Sequence, residues 1–391
     1  MAYQLSSTSW GPEEIDAINR VISSGRFTMG DQVRRFEEAF AAQFGMKHAV
    51  MVNSGSSANL VAVAALFYRS QRPLQRGDEA IVPAISWATT FHPLQQYGLK
   101  LRFVDVELDT LNIDASKLEA ALTPRTRMVV AVSILGNPAA LDKIRAFCDA
   151  HDLILFEDNC ESLGATLNGK WCGTFGDVNT FSTFYSHHIS TMEGGLLVTN
   201  DMELDHLARA IRNHGWARDV PPDSPAEAVG RPHDDPFFEA YRFVVPGYNV
   251  RPLEFAGAVG LEQLKKLARM LAIRRANAAH FQTLFKGDKR FIIQRENGNS
   301  SWFSFTMILK PELGIDRSRL MDTLRKAGIE FRMITGGCFP KHQAIKFFEY
   351  DTVGGIRNAT LAHDHGFFVG NHPHDLTREL NELRTVLNGV R

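Results

Sequence analysis

Cysteine is scarce and scattered. The chain has four, at positions 148, 160, 172 and 338, and no two form a CxxC pair. That spacing speaks against a zinc ribbon or a cysteine-ligated iron–sulfur cluster, and it suits a reducing compartment with free thiols. Net charge is also missing. Lys+Arg number 43 against Asp+Glu 44, so there is no electrostatic case for nucleic acid or an anionic membrane. No apolar run approaches the ~18 residues of a membrane span. The opening MAYQLSSTSW lacks the basic and apolar regions of a secretion signal. A cytoplasmic protein is expected. Internal repeats are absent, and low complexity is confined to one Pro-rich stretch.

What is present is ordinary globular material. Hydrophobic residues make up 44% and charged residues 22% of the chain, as in soluble domains. A length of 391 residues exceeds one compact core and suits two domains. Helical spacing over Pro12–Ser23 and Val33–Phe44 opens the chain. Strand and helix signals then alternate. Strands are expected at His48–Ser54, Glu79–Ala84, Leu101–Val106, Arg127–Leu135 and Leu153–Asp158, with helices between them. Near-continuous apolar strands in βαβα order indicate a mostly parallel sheet covered by helices on both faces.

The stretch Asp219–Pro236 is dense in Pro and acid and reads as a long loop. A long helix is expected over Leu253–Ala279, with a possible break near Ala268. The remainder mixes strands and helices, as in a smaller α+β domain. The division drawn is 1–250 for a large domain, and 251–391 for a connecting helix and small domain.

In such a sheet, ligands sit at the carboxyl ends of the strands. After the first expected strand comes Ser54-Gly55-Ser56, opening a helix. This is a phosphate site by its exposed N–H groups, or simply an N-cap. After the second comes Trp87, a ring for stacking or a core aromatic. The strand Leu153–Asp158 ends in Glu157-Asp158, a carboxylate costly to bury unless paired. Asp177–Phe181 and Leu196–Thr199 read as two further strands. They are joined by a connection carrying Ser182, His187, His188 and an EGG turn at Glu193–Gly195. A phosphate grip, an aromatic face, a carboxylate and a base in this order are what pyridoxal phosphate needs.

These pieces resemble the sugar aminotransferases of the DegT/DnrJ/EryC1/StrS family, of pyridoxal phosphate fold type I. The likeness rests on FTMGDQVRRFEEAFA (27–41), NSGSSANL (53–60), VPAISWATT (82–90), FEDNCESLGA (156–165), the His loop and PGYNVRPLEFAGAVGLEQL (246–264). The resemblance implies that Asp158 pairs with the pyridine nitrogen and that Trp87 stacks on the ring. It implies that Gly55, Ser56 and Ser182 hold the phosphate, with Glu161 also at the cofactor. Asn249 would reach the phosphate of a neighbouring subunit, making a homodimer with shared sites.

One departure matters. The family's Schiff-base lysine falls at 187, where this chain has His, and no lysine occurs between Lys170 and Lys265. Histidine cannot make that covalent link but can act as a general base. In this the chain is similar to the family's sugar 3-dehydratases. The resemblance implies a non-covalently held pyridoxal or pyridoxamine 5'-phosphate, and the cysteine spacing argues against the iron–sulfur cluster that one such dehydratase adds. It also implies a GDP-4-keto-6-deoxymannose-like nucleotide sugar as substrate and glutamate as amino donor. His187 would be catalytic and His188 at most supporting, because neighbouring loop side chains point apart. His214, Arg218, Arg251, Arg332 and His372 are candidates for substrate or diphosphate, or are plain surface residues. An ordinary sugar-nucleotide aminotransferase and a non-catalytic cofactor-binding relative are the alternatives.

Overall fold

The computed structural model describes residues 3–221, 230 and 232–389. Half of the Pro-rich loop read over Asp219–Pro236, residues 222–229 and 231, therefore lies outside the described residues. The chain opens with helices α1 (Pro12–Ser24) and α2 (Asp31–Phe44). Next come β1 (His48–Val52), α3 (Gly55–Tyr68), β2 (Glu79–Pro83), α4 (Ala88–Gln96), β3 (Lys100–Val104) and the short α5 (Leu118–Ala121). Then follow β4 (Thr126–Val132), α6 (Leu141–Ala150), β5 (Ile154–Asp158), and the two-residue β6 (Thr166–Leu167) and β7 (Lys170–Trp171). Strands β8 (Val178–Ser182) and β9 (Gly195–Thr199) flank the His loop, and α7 (Met202–Arg212) and α8 (Pro236–Glu239) come after it. The rest is α9 (Glu254–Phe285), β10 (Phe291–Ile293), β11 (Ser304–Leu309), α10 (Arg317–Lys326), β12 (Tyr350–Val353), α11 (Arg357–His365), β13 (Gly366–Gly370) and α12 (Thr377–Asn388).

Eight strands form one sheet in the order β1-β9-β8-β5-β4-β2-β3-β12. It is parallel from β8 to β12, while β9 runs antiparallel to both β1 and β8. The expected mostly parallel α/β sheet is thus the observed one, with an antiparallel corner at the His loop. Helix α3 is apolar almost all round and buried along Ala58–Leu66, as a helix sandwiched in a core must be. A second, antiparallel sheet β10-β11-β13 packs with α10, α12 and the end of α9 around Phe281, Phe305 and Phe367.

One expectation needs correction. Helix α9 runs unbroken for 32 residues through Ala268, because Leu267, Met270, Leu271 and Arg274 keep one buried face and no Gly or Pro follows Gly260 within it. Near its start, Gly257 lets α2 approach closely. A side chain there would meet the Val33 backbone nitrogen at 2.5 Å. The boundary at 250 is also crossed twice. Strand β12, from the C-terminal part, pairs with β3 in the large sheet. Tyr3, from the N-terminus, pairs with Ile329 and is buried in the small core. Both pairings are long-range and carry no local signal.

One buried ion cluster fixes the strand that leads into the site. Glu37 of α2 is bonded to Arg212 and Arg209 of α7, and its Oε1 accepts the Met51 N–H of β1 at 2.8 Å. Burial opposes ionisation of Glu37, but Arg212 and then Arg209 outweigh it and hold the carboxyl below its ordinary range. A depressed folded pKa gives stability that is present above the unfolded value of ~4.3 and is lost as pH falls through the folded one. Arg212→Met leaves a buried carboxylate short of a partner. It should cost roughly 3–5 kcal/mol at pH 7, read as a lower urea midpoint. The gap to wild type should narrow in acid, where Glu37 is protonated, and a pH-independent gap would refute this account.

Candidate active site

The register of three strands brings the site together. Val52 at the end of β1 pairs with Gly195, and Gly195 pairs with Ser182 at the end of β8. One strand over, Asp158 at the end of β5 pairs with Thr180. Loops after β1, β5 and β8 therefore share one edge of the sheet, where α3 begins. Close approach explains the glycines. A Cβ on Gly55 would lie 2.6 Å from Ser182 Cβ and 2.9 Å from Cys160 Sγ. A Cβ on Gly195 would lie 2.4 Å from the Ser54 carbonyl oxygen. Ser54 caps α3 by accepting the Ser57 N–H at 3.1 Å. The Gly55 and Ser56 amides lie in the first turn, where N–H groups have no intrahelical acceptor. The Ser56 hydroxyl donates to Thr89 at 3.0 Å, and Ser182 Oγ accepts the Phe184 N–H at 3.3 Å.

Asp158 is buried and bracketed by neutral donors. Its Oδ2 accepts from Asn59 Nδ2 at 2.9 Å and Thr90 Oγ1 at 2.7 Å, and its Oδ1 accepts the Cys160 N–H at 3.2 Å. Thr180 Oγ1 donates to Asn59 Oδ1 at 2.6 Å and so orients that amide. Among the described residues no basic side chain forms an ion pair with Asp158. The carboxylate at the sheet edge thus has geometry but no cation. Asn59, Thr90 and Thr180 escaped the sequence reading. Asn59 had a signal, a polar residue in an otherwise apolar helix, whereas Thr90 and Thr180 lie in segments of mixed polarity that gave none. Glu157 faces the other way and accepts the N–H groups of Gly173, Phe175 and Gly176.

Glu161 accepts the Leu135 N–H at 2.8 Å and the Thr335 hydroxyl at 3.2 Å. Both donors sit in the left-handed region, at φ of 52° and 40°, a strained state for branched residues. Glu161 thereby ties the β5 loop to the small domain. Trp87 is 60% exposed at the start of α4, as an open ring face requires.

The two histidines diverge. His187 is half-buried, its ring edge-on to Phe303 at 5.1 Å and Phe184 at 5.9 Å. Its Nδ1 is buried without a hydrogen-bond partner. Burial, and secondarily Arg274, push its pKa down to about 3, so the ring is held neutral. His188 is fully buried, and its Nε2 donates to the Ser301 carbonyl at 3.1 Å.

The remaining candidates are spread more widely. Asn249 is exposed, and its Oδ1 accepts from Arg251 Nε at 3.2 Å. Its backbone pairs with Asn213, beside His214. His214 is exposed, and Arg218 lies over the Trp216 ring at 5.1 Å. This group joins the site's edge through the Asn53 N–H, which donates to the Val250 carbonyl at 2.9 Å. Arg332 is exposed on a bridge to Phe368 and donates to its neighbour's carbonyl. The substrate role read for His372 does not suit its surroundings. It is buried, its Nε2 donates to the Gln4 carbonyl at 2.8 Å, and its ring stacks on His374 at 5.0 Å. Burial pushes it down to about 4, a neutral structural histidine.

The donor set fits a pyridoxal phosphate. First-turn amides beside Ser182 suit a phosphate. A buried carboxylate with no cation suits a protonated ring nitrogen, and Trp87 offers a stacking face. No group of three or more potential metal ligands occurs among the described residues.

Residues 9–383 match the DegT/DnrJ/EryC1/StrS aminotransferase family. The GDP-4-keto-6-deoxy-D-mannose 3-dehydratase of Yersinia pseudotuberculosis is 49% identical over 386 residues, 98% of each chain. A crystal structure of GDP-4-keto-6-deoxymannose-3-dehydratase with a trapped PLP–glutamate geminal diamine has a TM-score of 0.96 at 49% identity, covering 98% of this chain and 100% of that one. Another structure of that enzyme has adjacent serine and histidine replaced by asparagine and lysine. Its TM-score is 0.95 at 48% identity, covering 97% of this chain and 100% of that one.

Glu161 offers a direct test of the site's electrostatics. Burial pushes its carboxyl up to about 7; the Leu135 N–H opposes this and the Asp158 charge adds to it. A raised carboxyl pKa means the folded state keeps a proton that the unfolded chain gives up above ~4.3. The stability this confers is full at low pH and is lost as pH rises through the folded pKa. In cofactor-free protein, the melting temperature of wild type relative to Glu161→Gln should therefore fall steadily from pH 5 to pH 8. A flat difference in a fluorimetric melt would contradict the assignment.

Proposed function

The chain belongs to the DegT/DnrJ/EryC1/StrS aminotransferase family, and from that premise we propose that it removes the 3-hydroxyl from a GDP-linked 4-keto-6-deoxy sugar. It is read as a pyridoxal phosphate-dependent GDP-4-keto-6-deoxymannose 3-dehydratase, with glutamate as the amino donor. The observation that carries this reading is His187, a neutral imidazole on the loop between β8 and β9 where the family's lysine would stand. Ser186–His187 is also the chain's one Ser-His pair, which supports matching it to the pair replaced in the related structure.

When bound, the cofactor would supply an amine for the sugar's carbon-4 ketone and a ring able to hold the electron pair that a departing proton leaves behind and to release it as the carbon-3 C–O bond breaks. Asp158 then keeps a proton on the ring nitrogen, its position fixed by Asn59 and Thr90. Gly55, Ser56 and Ser182 hold the phosphate, and Trp87 covers one ring face. His187, neutral at rest, accepts a proton at its imidazole and returns it to the departing carbon-3 oxygen. Nothing in this requires a covalent tie to protein. His214, Arg218 and Arg251 supply cationic or donor groups for the diphosphate, from the same chain or across a dimer. The homodimer is supported by the exposed position of Asn249, whose side chain accepts from its near neighbour Arg251.

The test is an incubation with pyridoxal phosphate, glutamate and a GDP-4-keto-6-deoxy sugar. Ammonia and a 3-deoxy sugar are expected. An amino sugar without ammonia would make the chain an aminotransferase, and neither product would make it a binding protein. His187→Asn should lower turnover by ~10²–10⁴-fold, the usual worth of acid–base assistance. Borohydride treatment of the loaded wild type should leave no cofactor adduct on the denatured chain by mass spectrometry.

Sharing of sites is checked separately. Mixed dimers of Asn249→Ala and His187→Ala chains should recover activity that neither homodimer has. If Asn249 serves its own subunit's site, each of the two sites in the mixed dimer carries one defect, and no recovery is seen.

A further inference from the structure

The segment Ser300–Phe303 is held in an unusual way. Four successive carbonyls each accept a hydrogen bond from a side chain of another element. Ser300 accepts from Arg275 Nε at 3.0 Å, Ser301 from His188 Nε2 at 3.1 Å, Trp302 from Asn371 Nδ2 at 2.8 Å and Phe303 from Arg274 Nη1 at 3.2 Å. On its other side the segment is bonded to the β4 loop. The Ser301 and Phe303 N–H groups donate to the Gly136 and Leu135 carbonyls, each at 2.9 Å. Leu135 is the residue whose own N–H is bound by Glu161. A strap fixed at this many points has one rigid position.

Phe303 is the strap's contact with the His loop. Its ring lies 5.1 Å from the His187 ring and 5.7 Å from the His188 ring. His188 is 1% exposed and donates its one ring proton to the strap, leaving Nδ1 buried and bare. It has no path to solvent and no acid or base partner. His187 keeps its half-open position, and its buried Nδ1 has no hydrogen-bond partner among the described residues to hold it.

We propose that His188 is a positioning residue: by bonding the Ser301 carbonyl it clamps the His loop to the strap, so that Phe303 sets the orientation of His187. This rests on His187 being the base. The clamp also explains a doubled histidine. The backbone turns one ring toward the site and the next into the core, and only the second needs a donor at imidazole reach.

The test compares His188→Leu, which keeps bulk but not the donor, with His188→Gln, whose amide can still reach Ser301. In loaded enzyme, His188→Leu should lose about 10²-fold in kcat, the usual cost of ~1 Å misplacement, with the sugar KM nearly unchanged, and His188→Gln should recover most of it. In cofactor-free protein, acylation of His187 by diethylpyrocarbonate, followed by peptide mass spectrometry, should be several-fold faster in His188→Leu than in wild type or His188→Gln. If His188→Gln is as impaired as His188→Leu, the imidazole itself acts chemically and the clamp is wrong. Wild-type turnover and acylation in His188→Leu would also overturn it. Should His188→Leu not fold, His188→Asn, whose amide stops short of Ser301, takes its place. If wild type itself releases no ammonia, the proposed activity fails, while the acylation rates still decide the clamp.

Discussion

A buried carboxylate without a cation organises this protein. Asp158 ends a central strand, accepts three neutral hydrogen bonds and has no ion-pair partner among the described residues. Burying such a group is costly unless something positive arrives. The fold accepts that cost at one point and compensates with Asn59, Thr90 and Thr180, each drawn from a different element. The contrast with Glu37 is instructive. That carboxylate is equally buried but carries two arginines of its own, and it serves only to pin α2 and α7 to β1.

Around Asp158 the architecture is one of close approach. Gly55 and Gly195 bring the start of α3, the end of β8 and the start of β9 into backbone contact. That contact needs β9 antiparallel to both neighbours, since only then do the end of β1, the start of β9 and the end of β8 lie level. The antiparallel corner in an otherwise parallel sheet is therefore the feature that presents the His loop.

The small domain is less separate than its composition suggests. It sends β12 into the large sheet, receives Tyr3 from the N-terminus, and places its strap against the His loop. Glu161, Leu135 and Phe303 form a continuous set of contacts from the loop after β5 to His187. Leu135 and Thr335, the two donors to Glu161, carry left-handed backbone, the kind of strain that persists where surroundings over-determine a loop.

Much of this was legible in the chain itself. Alternating apolar runs and helical stripes are local properties, so the βαβα order, the sheet type and the approximate strand ends followed from residue spacing. The positions of Gly55, Asp158 and Ser182 at strand ends followed with them, while the missing lysine was visible only against the family resemblance. What the spacing could not supply was anything decided by partners far apart in sequence. The unbroken course of α9, the pairing of β12 with β3, the commitment of His372 to the Gln4 carbonyl and the opposite fates of His187 and His188 all depend on contacts across more than a hundred residues. Local periodicity carries no record of such contacts, and only the packed tertiary structure decides which polar group meets which.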